Sequence, residues 1–193
     1  MKIISGKYKG RKIDGYDLKG TRPTMERVKE TLFATIQNYL ENSIVLDLFS
    51  GSGNLGIEAL SEGASFAYLV DYNKKAADTI KSNIKNIGIT ECEVLNMDYK
   101  KALDYLATKN KRIDLIFLDP PYATNYIEES ISLIEKYDLL AEDGLIICES
   151  DNLNHIVYSD TYIATKEKKY FHKNATKNNS KKISVRSKGL LFG

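Results

Sequence analysis

Two successive prolines, Pro120 and Pro121, stand between Asp119 and Tyr122. They follow the run Ile113-Asp114-Leu115-Ile116-Phe117-Leu118, which reads as a strand. Proline has no backbone N–H, so the pair fixes the chain and removes two donors. Acceptors remain: the Asp119 carboxylate and the Pro120 carbonyl, with the flat face of Tyr122 beside them. That set suits one chemical problem. The exocyclic amine of adenine, cytosine or guanine is a poor nucleophile, because its lone pair is delocalised into the ring. Two fixed acceptors bind both amine hydrogens and favour a pyramidal nitrogen. They then stabilise the positive charge that grows on nitrogen as it takes up a methyl group. Tyr122 stacks on the base and sets its angle of approach. Asp119 can accept the released proton, directly or through water. A base inside folded nucleic acid has to turn outward to reach such a pocket.

A second constellation lies upstream, in Asp47-Leu48-Phe49-Ser50-Gly51-Ser52-Gly53-Asn54-Leu55-Gly56. Glycines at a strand-to-helix turn let the backbone approach a ligand closely. Asp71 closes the next strand, where a carboxylate accepts hydrogen bonds from two ribose hydroxyls. Asp98 follows the third strand and is placed to meet an adenine edge, with Tyr99 beside it. These residues point to an adenosine-type cofactor. Gly51, Gly53 and Gly56 also satisfy the G-x-G-x-x-G dinucleotide pattern, so the loop leaves the choice of cofactor open. The tetrapeptide Asp119–Tyr122 tips it towards a methyl donor.

The elements that must position these residues follow from periodicity. Val28, Leu32, Ile36 and Tyr39 or Leu40 recur at helical spacing after Arg22-Pro23, with Thr24 as the expected N-cap of a helix over 24–42. Strands are expected at Ile44–Leu48, Phe66–Val70, Glu93–Met97, Ile113–Leu118 and Leu145–Glu149. Helices are expected at Leu55–Leu60, Lys74–Ile87 (stopped by Gly88), Lys100–Ala107 and Ile127–Tyr137. Runs such as Ile116-Phe117-Leu118 are apolar on both faces, as in strands covered by helices on both sides. The alternation predicts an α/β, doubly wound sheet whose ligands bind beyond the carboxyl ends of its strands. Tyr162–Thr165 and Ile183–Val185 are expected to form a closing antiparallel pair, with Phe171–Ser180 as the loop between them. One domain is predicted over 1–193: a basic hairpin or loop extension at 1–23, the leading helix, and a core at 43–193.

Composition and charge bound the partners. An apolar fraction of 42% and a charged fraction of 28% are those of an ordinary folded domain. No apolar run approaches a membrane span. Met1-Lys2-Ile3-Ile4 does not open a secretory leader, and a cytoplasmic location with reduced Cys92 and Cys148 is expected. His155 and His172 have no companion ligands in sequence, so no metal is expected. The net charge of +2 conceals an uneven distribution. Residues 1–30 carry +5, residues 166–193 carry +8, and the middle carries −11. Two basic ends around an acidic centre fit a polyanion gripped from the flanks. Lys7, Lys9, Arg11 and Lys12 alternate with Tyr8 and Gly10, which suits a surface facing nucleic acid. Arg22, fixed before Pro23, is expected to meet a phosphate near the pocket mouth.

With those residues in view, the chain resembles the RsmD-type 16S ribosomal RNA guanine-N2 methyltransferases. The pieces that carry the resemblance are Ser5-Gly6 with Lys9-Gly10-Arg11-Lys12, and Arg22-Pro23-Thr24 with Arg27–Phe33. Asp47–Gly53, Asp119–Tyr122 and Glu149-Ser150 follow in order. The resemblance implies a Rossmann-like class I S-adenosylmethionine-dependent methyltransferase sheet with a small N-terminal β-hairpin and helix extension. It implies S-adenosylmethionine as donor, held by Asp47, Phe49, Gly51, Gly53 and Asp71, with Asp98 near the adenine. It implies guanine N2 as acceptor, held by Asp119, Pro120, Pro121 and Tyr122, in 16S rRNA of an assembling 30S subunit. Lys9, Arg11, Lys12, Arg22 and Thr24 are the expected RNA contacts. The tail after Lys169 departs from the family pattern.

Three other readings compete. An adenine-N6 methyltransferase would use the same mechanism, but the chain has no room for a separate DNA target-recognition domain. A nicotinamide-dependent oxidoreductase would explain the glycines but not Asp119–Tyr122 or the basic ends. A non-catalytic RNA-binding protein would not need an intact cofactor loop.

Overall fold

The computed structural model describes residues 1–16, 23–120, 125–150, 162–165, 170–173 and 182–187. The chain divides into two compact units, Met1–Asp98 and Tyr99–Gly193.

The first unit opens with the expected basic hairpin. Lys2 and Lys12 form an antiparallel bridge. The Ile3 N–H donates to the Arg11 carbonyl (3.0 Å), Gly10 N–H to Ile3 (2.9 Å) and Ile13 N–H to Met1 (2.8 Å). Ile3 and Ile13 turn inward and are buried. Lys7, Lys9, Arg11 and Lys12 stay exposed. Gly6 has φ 78, and a Cβ there would run into the carbonyl of Ser61, so the turn needs glycine to lie this close.

Helix α1 spans Pro23–Ile36, and a 3-10 turn follows at Gln37–Tyr39. Thr24 therefore lies inside the helix rather than capping it. Pro23 takes the first turn, where a missing N–H costs nothing. The helix also ends before the expected Asn42, because the chain is already turning. Asn42 has φ 59, and its N–H is taken by the Gly63 carbonyl (2.9 Å). Lys29, Leu32, Phe33 and Ile36 form its buried face.

Then come β1 (Ile44–Asp47), α2 (Asn54–Ser61), β2 (Phe66–Val70), α3 (Lys74–Ile87) and β3 (Cys92–Leu95). The strands run parallel in the order β3-β2-β1, with Val45 opposite Ala67 and Ala67 opposite Cys92. Val45, Leu46, Leu69 and Val70 are fully buried, as the unbroken apolar runs require. Helix α3 is framed by local chemistry. The Asn73 side chain accepts from Lys75 N–H (2.9 Å) at its start, and Gly88 in the left-handed region (φ 84) closes it. Cys92 is a free thiol; burial, then nearby Glu91, pushes it up to about 11, leaving it unreactive.

The second unit holds α4 (Tyr99–Thr108), β4 (Ile113–Leu118), α5 (Tyr126–Lys136), β5 (Leu140–Ser150), β6 (Tyr162–Thr165), β7 (Tyr170–Lys173) and β8 (Lys182–Ser187). Its strand order is β4-β5-β8-β7-β6. Two expectations are corrected here. Strand β5 starts at Leu140, not Leu145: the polar stretch 141–144 is an irregularity within the strand, where the register against β4 shifts between Ile113 and Leu115. The closing pair also differs. Tyr162–Thr165 and Lys182–Ser187 each pair antiparallel with β7, and β8 pairs parallel with β5. The segment read as a loop from Phe171 thus begins as a strand, which Tyr170 and Phe171 favour by β propensity. The first unit from β1 onward and the second as far as β5 alternate strand and helix, the α/β pattern expected from the sequence.

Candidate functional site

In the first unit, β1 delivers the chain into the glycine loop. The loop is a closed hydrogen-bonded turn. Ser50 N–H donates to Val70 O (2.8 Å), Gly53 N–H to Ser50 O (2.7 Å), and Ser50 Oγ to Asp47 O (2.7 Å). Gly51 (φ 56) and Gly53 (φ 83) both adopt left-handed backbone conformations, which exclude most side chains. The Gly51 N–H donates to Asp71 Oδ2 (2.9 Å), and Asp71 Oδ1 accepts from Asn73 N–H (2.8 Å). A carboxylate has about four lone-pair sites, so two stay open for hydroxyls. Asp71 is half-buried and Phe49 also, while Asp98 is exposed past the end of β3. Asn96 donates from Nδ2 to the carbonyls of Asp71 (2.9 Å) and Tyr72 (3.1 Å), fastening this strand end. The structure thus brings Gly51, Gly53 and Asp71 together.

Asp47 occupies a different place. It is only 1% exposed, and its Oδ2 accepts the Gly56 N–H (3.0 Å). It braces the loop from beneath. Burial pushes its carboxyl up to about 7, against the Gly56 N–H that lowers it, with Asp71 raising it further. Glu62 is also pushed up to about 7, by burial and then by Glu58. A carboxyl whose folded pKa exceeds its unfolded value, about 4, binds its proton more tightly when folded. Its contribution is full below about pH 4 and is lost as pH rises through about 7. The melting temperature is therefore expected to fall between about pH 4 and pH 7, and Asp47→Asn to flatten that fall. Glu62→Gln removes what is left. A slope unchanged in the double variant counts against both assignments.

In the second unit, Asp119 is half-buried and Pro120 buried at the end of β4. Pro121 and Tyr122 lie outside the described residues. Beyond them α5 begins, and Tyr99 Oη donates to Glu129 Oε2 (2.5 Å), which Lys100 Nζ also meets at 2.7 Å. The Tyr99 and Tyr126 rings are 5.3 Å apart.

The hairpin cations are not equivalent. Lys12 is paired with Asp14 (2.6 Å) and Lys7 lies 3.9 Å from Glu91. Lys9 and Arg11 are exposed and make no ion pair among the described residues. Arg22 lies outside the described residues, and Thr24 is in the first turn of α1.

Sequence reasoning passed over several residues. Tyr72, next to Asp71, is 72% exposed and offers a flat face beside the residue that bonds the glycine loop; its adjacency to Asp71 was the available signal. Lys29 and Glu58 form a buried ion pair (2.6 Å, 3% and 0% exposed) that no local pattern announces.

The comparisons with known proteins converge. Residues 1–177 match the family described as Conserved hypothetical protein 95. YlbH of Bacillus subtilis, named as a candidate rRNA methyltransferase, is 42% identical over 78% of this chain and 83% of its own length. Ribosomal RNA small subunit methyltransferase D of Buchnera aphidicola is 38% identical over 86% of each chain. The solved structure of Escherichia coli yhhF, named as a candidate methyltransferase, superposes with a TM-score of 0.75 at 29% identity, covering 97% of this chain and 98% of the other.

Proposed function

The chain belongs to the Conserved hypothetical protein 95 family, and on that premise we propose that it transfers a methyl group from S-adenosylmethionine to the exocyclic N2 amine of a guanine in 16S rRNA. The fold is the Rossmann-like class I methyltransferase fold. The observation that carries the reading is Asp119-Pro120 at the end of β4 in a chain so similar to a small-subunit rRNA methyltransferase. We read residues 1–193 as one methyltransferase domain, in which 1–23 forms a basic extension and 43–193 the catalytic core. No described helix is long and apolar enough to cross a membrane. A cytoplasmic enzyme acting on an assembling 30S particle fits that.

The residues present suit the donor. The left-handed loop at Gly51 and Gly53 lets backbone come close, and Asp71 keeps acceptor capacity for ribose hydroxyls. Asp98 takes the adenine edge, Tyr72 offers its face, Phe49 lines the loop, and Asp47 supports it. S-adenosylmethionine, when bound, supplies an electrophilic methyl group. Asp119 and the Pro120 carbonyl accept the two amine hydrogens and stabilise the charge that develops on nitrogen. In this reading Tyr122 supplies the ring that stacks on the guanine, and Pro121 adds no N–H donor to the acceptor set. Lys9, Arg11 and Lys12, with Arg22 and Thr24, contact the RNA backbone.

Radiolabelled S-adenosylmethionine incubated with 30S subunits lacking the modification tests the whole reading. Label recovered as N2-methylguanosine in 16S rRNA is expected. Label in N6-methyladenosine would keep the mechanism and change the base; no label in the subunits would overturn the substrate. The hairpin has its own test. Lys9→Glu with Arg11→Glu should weaken RNA binding and make its salt dependence shallower, by about 0.7–0.9 in log–log slope for each phosphate no longer neutralised. An unchanged slope in filter binding removes the hairpin from the interface.

A further inference from the structure

The extension and the cofactor loop share one buried side chain. Asn83 on α3 is 1% exposed. Its Oδ1 accepts the Asp14 N–H (2.9 Å). Its Nδ2 donates to the Asp14 carbonyl (2.9 Å) and to the Ser52 carbonyl (3.1 Å). Asp14 ends the hairpin and salt-bridges Lys12 (2.6 Å). Ser52 sits between the two glycines of the cofactor loop. Two more ties join the same segments. The Tyr16 ring lies against Gly51, its Cε1 3.3 Å from where a Cβ would stand. Lys29 Nζ donates both to the Lys2 carbonyl (3.0 Å) and to Asn54 Oδ1 (2.8 Å), and Asn54 is the first residue after the loop.

We propose that Asn83 is a positioning residue that couples RNA held by the extension to S-adenosylmethionine held by the glycine loop, so that each ligand raises the affinity for the other. The coupling rests on the reading that the hairpin contacts RNA. Its physics is simple. A single buried amide satisfies both main chains only while both are docked; displacing either leaves a buried donor or acceptor unpaired. A ligand that holds one side docked spares the other ligand the cost of ordering the shared clamp. Linkage makes the effect equal in both directions.

The test is the affinity of the intact protein for a 16S rRNA transcript, by filter binding, with and without saturating S-adenosylhomocysteine, which cannot react. In the wild-type protein the RNA Kd should fall at least about fivefold when the nucleoside is bound. Asn83→Asp keeps the acceptor for the Asp14 N–H and removes both donors, so the ratio should collapse to within about twofold of unity. A new buried carboxylate can unfold the protein, so Tyr16→Ala, which leaves the core intact, is measured beside it and should at least halve the ratio. A merely destabilised variant would raise the ratio, because saturating S-adenosylhomocysteine binds the folded state and restores its population, so a fall towards unity is not a folding effect. A wild-type ratio of one overturns the proposal, as does a ratio unchanged in both variants. The Lys9→Glu, Arg11→Glu protein separates the two readings. If its RNA affinity is unaltered, the hairpin assignment fails; if RNA affinity falls while the wild-type ratio is one, only the coupling fails.

Discussion

Replacing Asp119 with alanine should lower methyl transfer by about 10²–10³-fold in kcat while S-adenosylmethionine affinity stays within a few-fold of wild type. The size follows from the role proposed for the carboxylate. Before reaction it accepts a hydrogen bond from a neutral amine, a modest interaction. As the carbon–nitrogen bond forms, that nitrogen becomes cationic, and the same contact becomes an ion–ion hydrogen bond. The gain belongs to the transition state and is lost in kcat, not in ground-state binding. Asp119→Asn keeps an acceptor without the charge and should fall between the two. Cofactor affinity is spared because, in the proposed site, it rests on other residues, Gly51, Gly53 and Asp71. Single-turnover transfer of label and calorimetric titration of the cofactor read the two quantities apart. Loss of cofactor binding, or transfer within tenfold of wild type, would sink the role given to Asp119.

Where periodicity and local punctuation act together, the sequence was legible. Phe66–Val70, Lys74–Ile87 with its Gly88 stop, and Ile113–Leu118 stand where they were expected. Alternation, capping and glycine termination are properties of neighbouring residues. Long-range devices left no such trace. Lys29 and Glu58 read as surface charges, because lysine and glutamate are almost never fully buried unless paired. Asn83 reads as one more polar residue on an amphipathic helix, yet it bonds to Asp14, 69 positions earlier. The stretch 141–144 looks like a turn, and only pairing with β4 shows it as an irregularity inside β5. Of the candidate site, the glycine loop and Asp71 could be placed because the loop motif and a carboxylate at a strand end carry their own geometry. Asp47 shares that motif, but its burial decides that it supports the loop from below.

Lys29→Met should destabilise the protein by about 3–5 kcal/mol, since removing one partner of a buried ion pair strands the other charge. For a chain of this size that is a fall of about 6–20 °C in melting temperature. The stranded group is Glu58, whose Oε1 accepts from Ile4 N–H (2.8 Å) and Ser5 N–H (2.9 Å). Those two donors offset part of the loss, which places the expected value towards the lower end of the range. They also carry the consequence to the extension. A carboxylate without Lys29 draws water into the site, which weakens its hold on Ile4 and Ser5. The hairpin should then loosen before the core does, with faster amide hydrogen exchange at Ile4 and Ser5. Glu58→Gln leaves Lys29 two neutral acceptors, the Lys2 carbonyl and Asn54 Oδ1. The double variant, Lys29→Met with Glu58→Gln, should therefore be no less stable than Lys29→Met, because neither charge remains stranded. Additive losses in the double variant would show that the two residues act separately. A fall of under about 3 °C for Lys29→Met would show that water already reaches the pair.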